Sequence, residues 1–247
     1  MIMKNTEPLH YRPSNTEKFK QTVWIVAVCT LPVLAAAQTP ASKLRETIGL
    51  DTIGMNLAYV EQQLGPAMRS DGNEHSFMVN GCAFTLTTDQ QGRSIHMVEI
   101  RTSKACPFTM GQFLSKEDST PIHGLTFQGV ESIAGKWHYK ASCIYLCGNG
   151  VPSHVYYWLP GDNANRNIEV AFGRDLDDEE VQPALQKMND RLVAQLSEEF
   201  VQFGQFNCLP NKGNEVMAEA MRSVQIDRVV FGRERIDLQL GIDCVEG

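Results

Sequence analysis

The sequence predicts an α+β protein: a mainly antiparallel sheet with a short N-terminal helix and a longer C-terminal helix, stapled by disulfides. Three observations predict it. Apolar and polar residues alternate over Cys82–Thr87 and the segment after it returns as a partner, the pattern of a half-buried hairpin. Val181, Leu185, Met188, Leu192 and Leu196 recur at helical spacing. The cysteines form an even set once the leader is set aside, which in an exported chain reads as a disulfide framework.

The first element is a leader, residues 1–37. Lys18 and Lys20 precede an apolar run from Val23 to Ala37 that ends in Ala35-Ala36-Ala37, a small-x-small cleavage pattern. The run is short for a membrane span, which needs ~20 residues. Cleavage near Ala37 would leave a periplasmic protein without a stable membrane anchor. Val28, not a small residue, stands before Cys29, which argues against lipidation. Residues 38–52 read as a polar linker, residues 53–110 as a helix-plus-hairpin module, and residues 111–247 as a sheet with a helical C-terminal region. The last two segments form either one domain or two.

Within the module, Asn56 is a plausible N-cap for a helix over Ile53–Leu64, and Gly65-Pro66 stops it. A turn-rich stretch, Ser70 to Asn73, follows. Cys82–Thr87 and Ser94–Ile100 form the hairpin around Asp89–Gly92. In the second strand Ile95 is out of phase with Val98 and Ile100, which predicts a bulge or cover on both faces. Further strands are expected at Trp137–Cys147, Val151–Leu159 and Asn167–Phe172. The long helix begins after the acidic run Asp177–Glu180, with Pro183 tolerable in its first turn. A second helix over Asn214–Val224 and strands at Gln225–Phe231 and Arg235–Ile242 close the chain.

Of seven cysteines, Cys29 leaves with the leader; Cys82, Cys106, Cys143, Cys147, Cys208 and Cys244 remain. Antiparallel pairing brings the outer ends of the hairpin together, so Cys82–Cys106 is the expected bridge. Order along the chain suggests Cys143–Cys147 and Cys208–Cys244 among the fifteen possible pairings. The longer loops would each contribute on the order of 3–4 kcal/mol.

One segment carries a family resemblance. Gly54-Met55, Val60, Leu64-Gly65 and Pro66, followed by a β-hairpin, resemble the small outer-membrane lipoproteins of the barrel-assembly machinery (BamE, or SmpA/OmlA-like). The same module is built in tandem in the secreted β-lactamase inhibitor proteins. The resemblance covers about residues 53–100 and no second Gly-Met copy is evident. It implies a binding scaffold without catalytic chemistry of its own.

Composition and motifs narrow the function classes. The formal charge is −7 and the leader is basic, so the mature chain is more acidic still; no basic patch suited to nucleic acid is visible. There is no nucleophile elbow, no His-Glu-x-x-His and no phosphate-binding glycine loop, so no catalytic residue, cofactor or metal is expected. Cys143-x3-Cys147 with His154 reads as a disulfide rather than zinc. The acids Asp175 and Asp177–Glu180 lack the spacing of a calcium loop.

The aromatic set is the informative feature. Strand alternation puts Val155, Tyr157 and Leu159 in one row and His154, Tyr156 and Trp158 in the other. The second row either packs under the long helix or lies on an open sheet face as a contact for a protein partner. Asp162, Asn163, Asn165 and Arg166, at a hairpin tip, are further candidate contacts. The expected function is neutralisation of a secreted toxin or hydrolase by an inhibitor or immunity protein. The alternative is an accessory of envelope assembly.

Overall fold

A computed structural model describes residues 39–114, 117–136, 138–142, 144, 153–160, 167–202, 204, 207–208 and 210–233. The leader, Cys143, Cys147, Cys244, the hairpin tip 161–166 and the closing strand at Arg235–Ile242 lie outside them.

The described chain is built on one eight-stranded antiparallel sheet. The helices α1 (Pro40–Thr47) and α2 (Leu57–Leu64) precede the strands β1 (Arg69–Asp71), β2 (Glu74–Val79), β3 (Cys82–Thr88) and β4 (Ile95–Arg101). A short α3 (Gly111–Leu114) and α4 (Phe127–Ala134) then precede β5 (His138–Ala141), β6 (His154–Leu159) and β7 (Glu169–Asp175). After β7 come α5 (Gln182–Leu196), α6 (Glu198–Gln202) and α7 (Pro210–Met221), and β8 (Arg228–Gly232) completes the sheet. Strand order is β1-β2-β3-β4-β8-β7-β6-β5. Each half is a meander, and the halves join where β4 pairs with β8, Val98 opposite Phe231 and Ile100 opposite Val229.

One sheet face carries the main core. Phe77, Phe84, Leu86, Val98, Ile100, Tyr139, Val155, Tyr157, Val170, Phe172, Val229 and Phe231 pack there with Val60, Val130, Met188 and Leu192 of the helices. Each fully buried side chain of this size contributes ~1.5–3 kcal/mol. The residue range expected to be linker instead carries α1, because Leu44 and Ile48 reach this core. Thr39 caps α1 by accepting from Ser42 N–H at 3.2 Å.

The helix-before-meander device occurs twice, which the sequence pattern had hidden. In the first copy Asn56 caps α2, Leu57 and Val60 are buried, and Gly65 closes the helix. In the second, Thr126 caps α4, Phe127 and Val130 are buried, and Gly135 closes it. Gly65 and Gly135 both take left-handed φ values, 94° and 98°, and both donate their N–H four residues back, to Glu61 and Glu131. A residue with a Cβ is strained there. Gly54-Met55 thus has its counterpart in Gly124-Leu125, with Met exchanged for another apolar residue. The Tyr157 hydroxyl donates to the Gly135 carbonyl and ties the end of α4 to the sheet.

The broken alternation on β4 is a bulge. Thr87 pairs with Met97 and Thr88 with Ile95, so His96 is the extra residue. It shifts Ile95 into phase with Val98 and Ile100, and all three are buried. The His96 carbonyl, turned out of the β3 ladder, accepts from Arg233 N–H at 3.1 Å.

The Cys82–Cys106 bridge forms as expected, its Cα atoms 4.7 Å apart. Cys208 is disulfide-bonded as well. Its expected partner, Cys244, and the expected Cys143–Cys147 pair lie outside the described residues.

At β5, the edge of the sheet among the described residues, side chains bond the outward backbone groups. Asn207, itself buried, accepts from Ala141 N–H at 2.9 Å and donates to the Ala141 carbonyl at 2.8 Å. Asn214 of α7 accepts from Tyr139 N–H at 2.6 Å. An uncovered edge would offer these groups to another chain.

Candidate functional site

Strand alternation sends a second set of side chains to the face opposite the helices. From β2 to β5 it comprises Ser76 and Met78, Ala83 and Thr85, Met97 and Glu99, Arg228 and Val230, Ala171 and Gly173, His154, Tyr156 and Trp158, and Lys140. Among the described residues, the apolar cluster here draws only on strands: Tyr156, Ala171 and Val230, with Met97 and Trp158 against them. The row His154-Tyr156-Trp158 therefore lies on the face on which none of the described helices packs, called helix-free below in that sense, and not under α5. Val155, Tyr157 and Leu159 belong to the main core.

The three residues of the row differ in exposure. Tyr156 is only 6 % exposed, while His154 and Trp158 are half-buried. Tyr156 lies flat because its neighbour on β7 is Gly173: a Cβ there would stand 2.4 Å from the ring's Cε1 and 2.9 Å from Arg228 Cγ. The glycine is thus the floor on which the ring rests. Burial raises the Tyr156 phenol to about 12, outweighing the nearby Arg228 guanidinium, so the group stays neutral.

Trp158 is held on several sides. Lys140 Nζ stands 3.9 Å above its ring, His138 stacks alongside at 6.3 Å, and its Nε1–H donates to Glu169 Oε2 at 3.1 Å. These contacts fix one rotamer.

Between the two halves runs a charged network. Arg228, with a side chain 3 % exposed, reaches Asp227 at 2.9 Å, Asp175 at 3.2 Å and Glu99 at 3.5 Å. Arg101 contacts Glu99 at 3.4 Å and Asp227 at 3.5 Å. A guanidinium this buried is tolerable only because carboxylates surround it. Asp175 is penalised by burial, yet the Asp177 N–H and Arg228 outweigh that and hold its carboxyl below the usual range. His154 stands 4.0 Å from Asp175. Burial and then the Arg228 charge lower its pKa, and Asp175 does not compensate, so the contact joins a neutral imidazole to a carboxylate at neutral pH.

Among the described residues no group of three or more His, Cys, Asp or Glu side chains could hold a metal ion. The Asp177–Glu180 acids begin a helical turn, with Asp178 accepting from Glu180 N–H at 3.2 Å. On the helix side a cleft of about 740 Å³ lies beside α5 and α7, bordered by Arg174, Lys187, Glu219 and Arg222; it does not reach the aromatic row. No helix among the described residues is long and apolar enough to cross a membrane. Of the sequence-named contacts, Asp162, Asn163, Asn165 and Arg166 lie outside the described residues. Glu99, Arg101, Lys140 and Arg228 were missed, because only strand register shows which charged residues share a face with the aromatic row.

Comparisons with protein-family models, curated proteins and solved structures give no match.

Proposed function

We propose that the chain is an exported inhibitor or immunity-type protein that neutralises a secreted toxin or hydrolase by docking it on the helix-free sheet face. The observation that carries this reading is the anchored row on that face. Trp158 is held by Lys140, His138 and Glu169 before any partner arrives, and Tyr156 lies on Gly173. Anchors already in one conformation lose little entropy on binding, which favours tight recognition. A sheet is also a rigid support, here reinforced by the Cys82–Cys106 bridge.

The duplicated module supports the same reading. Within the resemblance noted from residues 53–100, a tandem build belongs to the secreted inhibitor proteins. Two capped helices, each leading into a meander of one shared sheet, fit that build.

The test is co-purification with activity. Tagged chain recovered from the organism that makes it is expected to bring down one secreted protein in stoichiometric amount. Added back, the chain suppresses that protein's hydrolytic or toxic activity, and Trp158→Ala weakens suppression by roughly 30-fold or more, the scale of a lost interface anchor. Co-purification of membrane or barrel-assembly components alone would favour the envelope-accessory reading instead.

A further inference from the structure

We infer that the groove formed by Met68, Met78 and Met97 is a second contact point on the same face, built for a large apolar side chain flanked by Lys or Arg on the partner. The inference rests on the docking reading above and names the chemistry of what is docked.

The groove lies on the β1–β4 half, away from Trp158. Its volume is about 330 Å³, room for one large side chain. Met68 enters the edge strand β1 and is 69 % exposed; Met78 on β2 is 51 % exposed. They are two of the three large hydrophobic side chains so exposed among the described residues. Met97 forms the inner wall and also touches the Tyr156–Val230 cluster, which makes the groove continuous with the aromatic row. Its floor is cut low by small residues, Ser76, Ala83 and Thr85. Unbranched, polarizable methionines adapt to an incoming ring or aliphatic chain at little cost.

Charge sets the flanks. Glu74 and Glu99 border the groove, and the single cation there, Arg101, is turned to Glu99 and Asp227. The groove is therefore net acidic, on a chain whose formal charge is −7. A carboxylate in that position would be repelled, whereas Lys or Arg would meet Glu74.

The experiment uses the intact chain with 13C-methyl methionine and three disulfide-closed peptides as probes. The first presents Lys-Phe-Arg at its tip, the second Glu-Phe-Glu, the third Lys-Gly-Arg. Saturable shifts of the Met68, Met78 and Met97 methyl signals are expected with the first. The second should bind about fivefold more weakly, the scale of two partly exposed charge pairs. The third should leave the signals in place. Met78→Thr, which keeps a strand-compatible residue, should weaken the first peptide, and Glu74→Gln should narrow the gap between the first and second. Methyl signals that do not move, or equal affinity for the charge-reversed peptide, would overturn the inference. Either result leaves the docking reading standing, provided that Trp158→Ala still weakens suppression of the captured protein.

Discussion

His154 shows how neighbours decide a residue's state on this face. It pairs in strand register with Asp175 and stands near Arg228 on β8 and Tyr156 on its own strand. Burial and the Arg228 charge lower its pKa despite Asp175. The sign follows: as pH falls below the ordinary imidazole value of 6.5, the unfolded chain takes a proton before the folded one does. Folding stability from this group is therefore whole above that pH and declines as acid is added, until the folded imidazole is itself protonated. Asp175 acts in a separate, more acidic window, because its carboxyl is held below 3.8 in the fold. Urea unfolding at pH 7 and pH 5 should show His154→Gln losing less stability between the two than the parent chain. An equal loss would mean that His154 is solvated and plays no part in the network.

Among the elements, the most legible were those in which one physical signal acts locally. The long helix reads from Val181 to Leu196 because five apolar residues keep a 3.6-residue period, and the structure places α5 there. The β3–β4 hairpin and its bridge were legible for the same reason, and the out-of-phase Ile95 left a bulge as one of two readings, the one the register shift shows. The missed elements lack such a signal. Strand β1 is three exposed residues, and β2 begins with Glu74 beside a turn, so neither stands out by composition. Helix α4 was missed because its copy of the motif keeps chemical class, not residue identity: Thr126 for Asn56, Phe127 for Leu57, Ala134 for Leu64. The two copies predict matched costs. Gly65→Ala and Gly135→Ala should each destabilise by about 1–2 kcal/mol, since each forces a Cβ into the left-handed region; chemical denaturation of the two variants measures it. The Asn207 clamp on β5 was illegible for another reason: it joins residues 66 positions apart in the chain. Asn207→Ala should cost about 2–3 kcal/mol, because it leaves the Ala141 N–H and carbonyl without their partner.

At the scale of the described fold, two meanders meet at the β4–β8 seam, the helices that share the core lie on one side of the sheet, and among the described residues the cluster on the other side is made of strand side chains. On the proposed function, that division separates stability from recognition. The helix side holds the large apolar core, while the opposite side carries an anchored tryptophan, a tyrosine resting on glycine and a charged network that bridges the seam. Sequence alternation identified the aromatic row but not the side of the sheet on which it lies, since either face could have been covered by the long helix. Register across the seam supplied Glu99, Arg101 and Arg228, which no local pattern announces. The central claim is that a protein partner docks on the helix-free face. A photo-crosslinking residue placed at Thr85 or Ser76 on that face, and separately at exposed Gln195 on α5, tests it in the cells that make the chain. The account predicts one discrete crosslinked protein from Thr85 and Ser76 and none from Gln195. Crosslinks from Gln195 alone would contradict it.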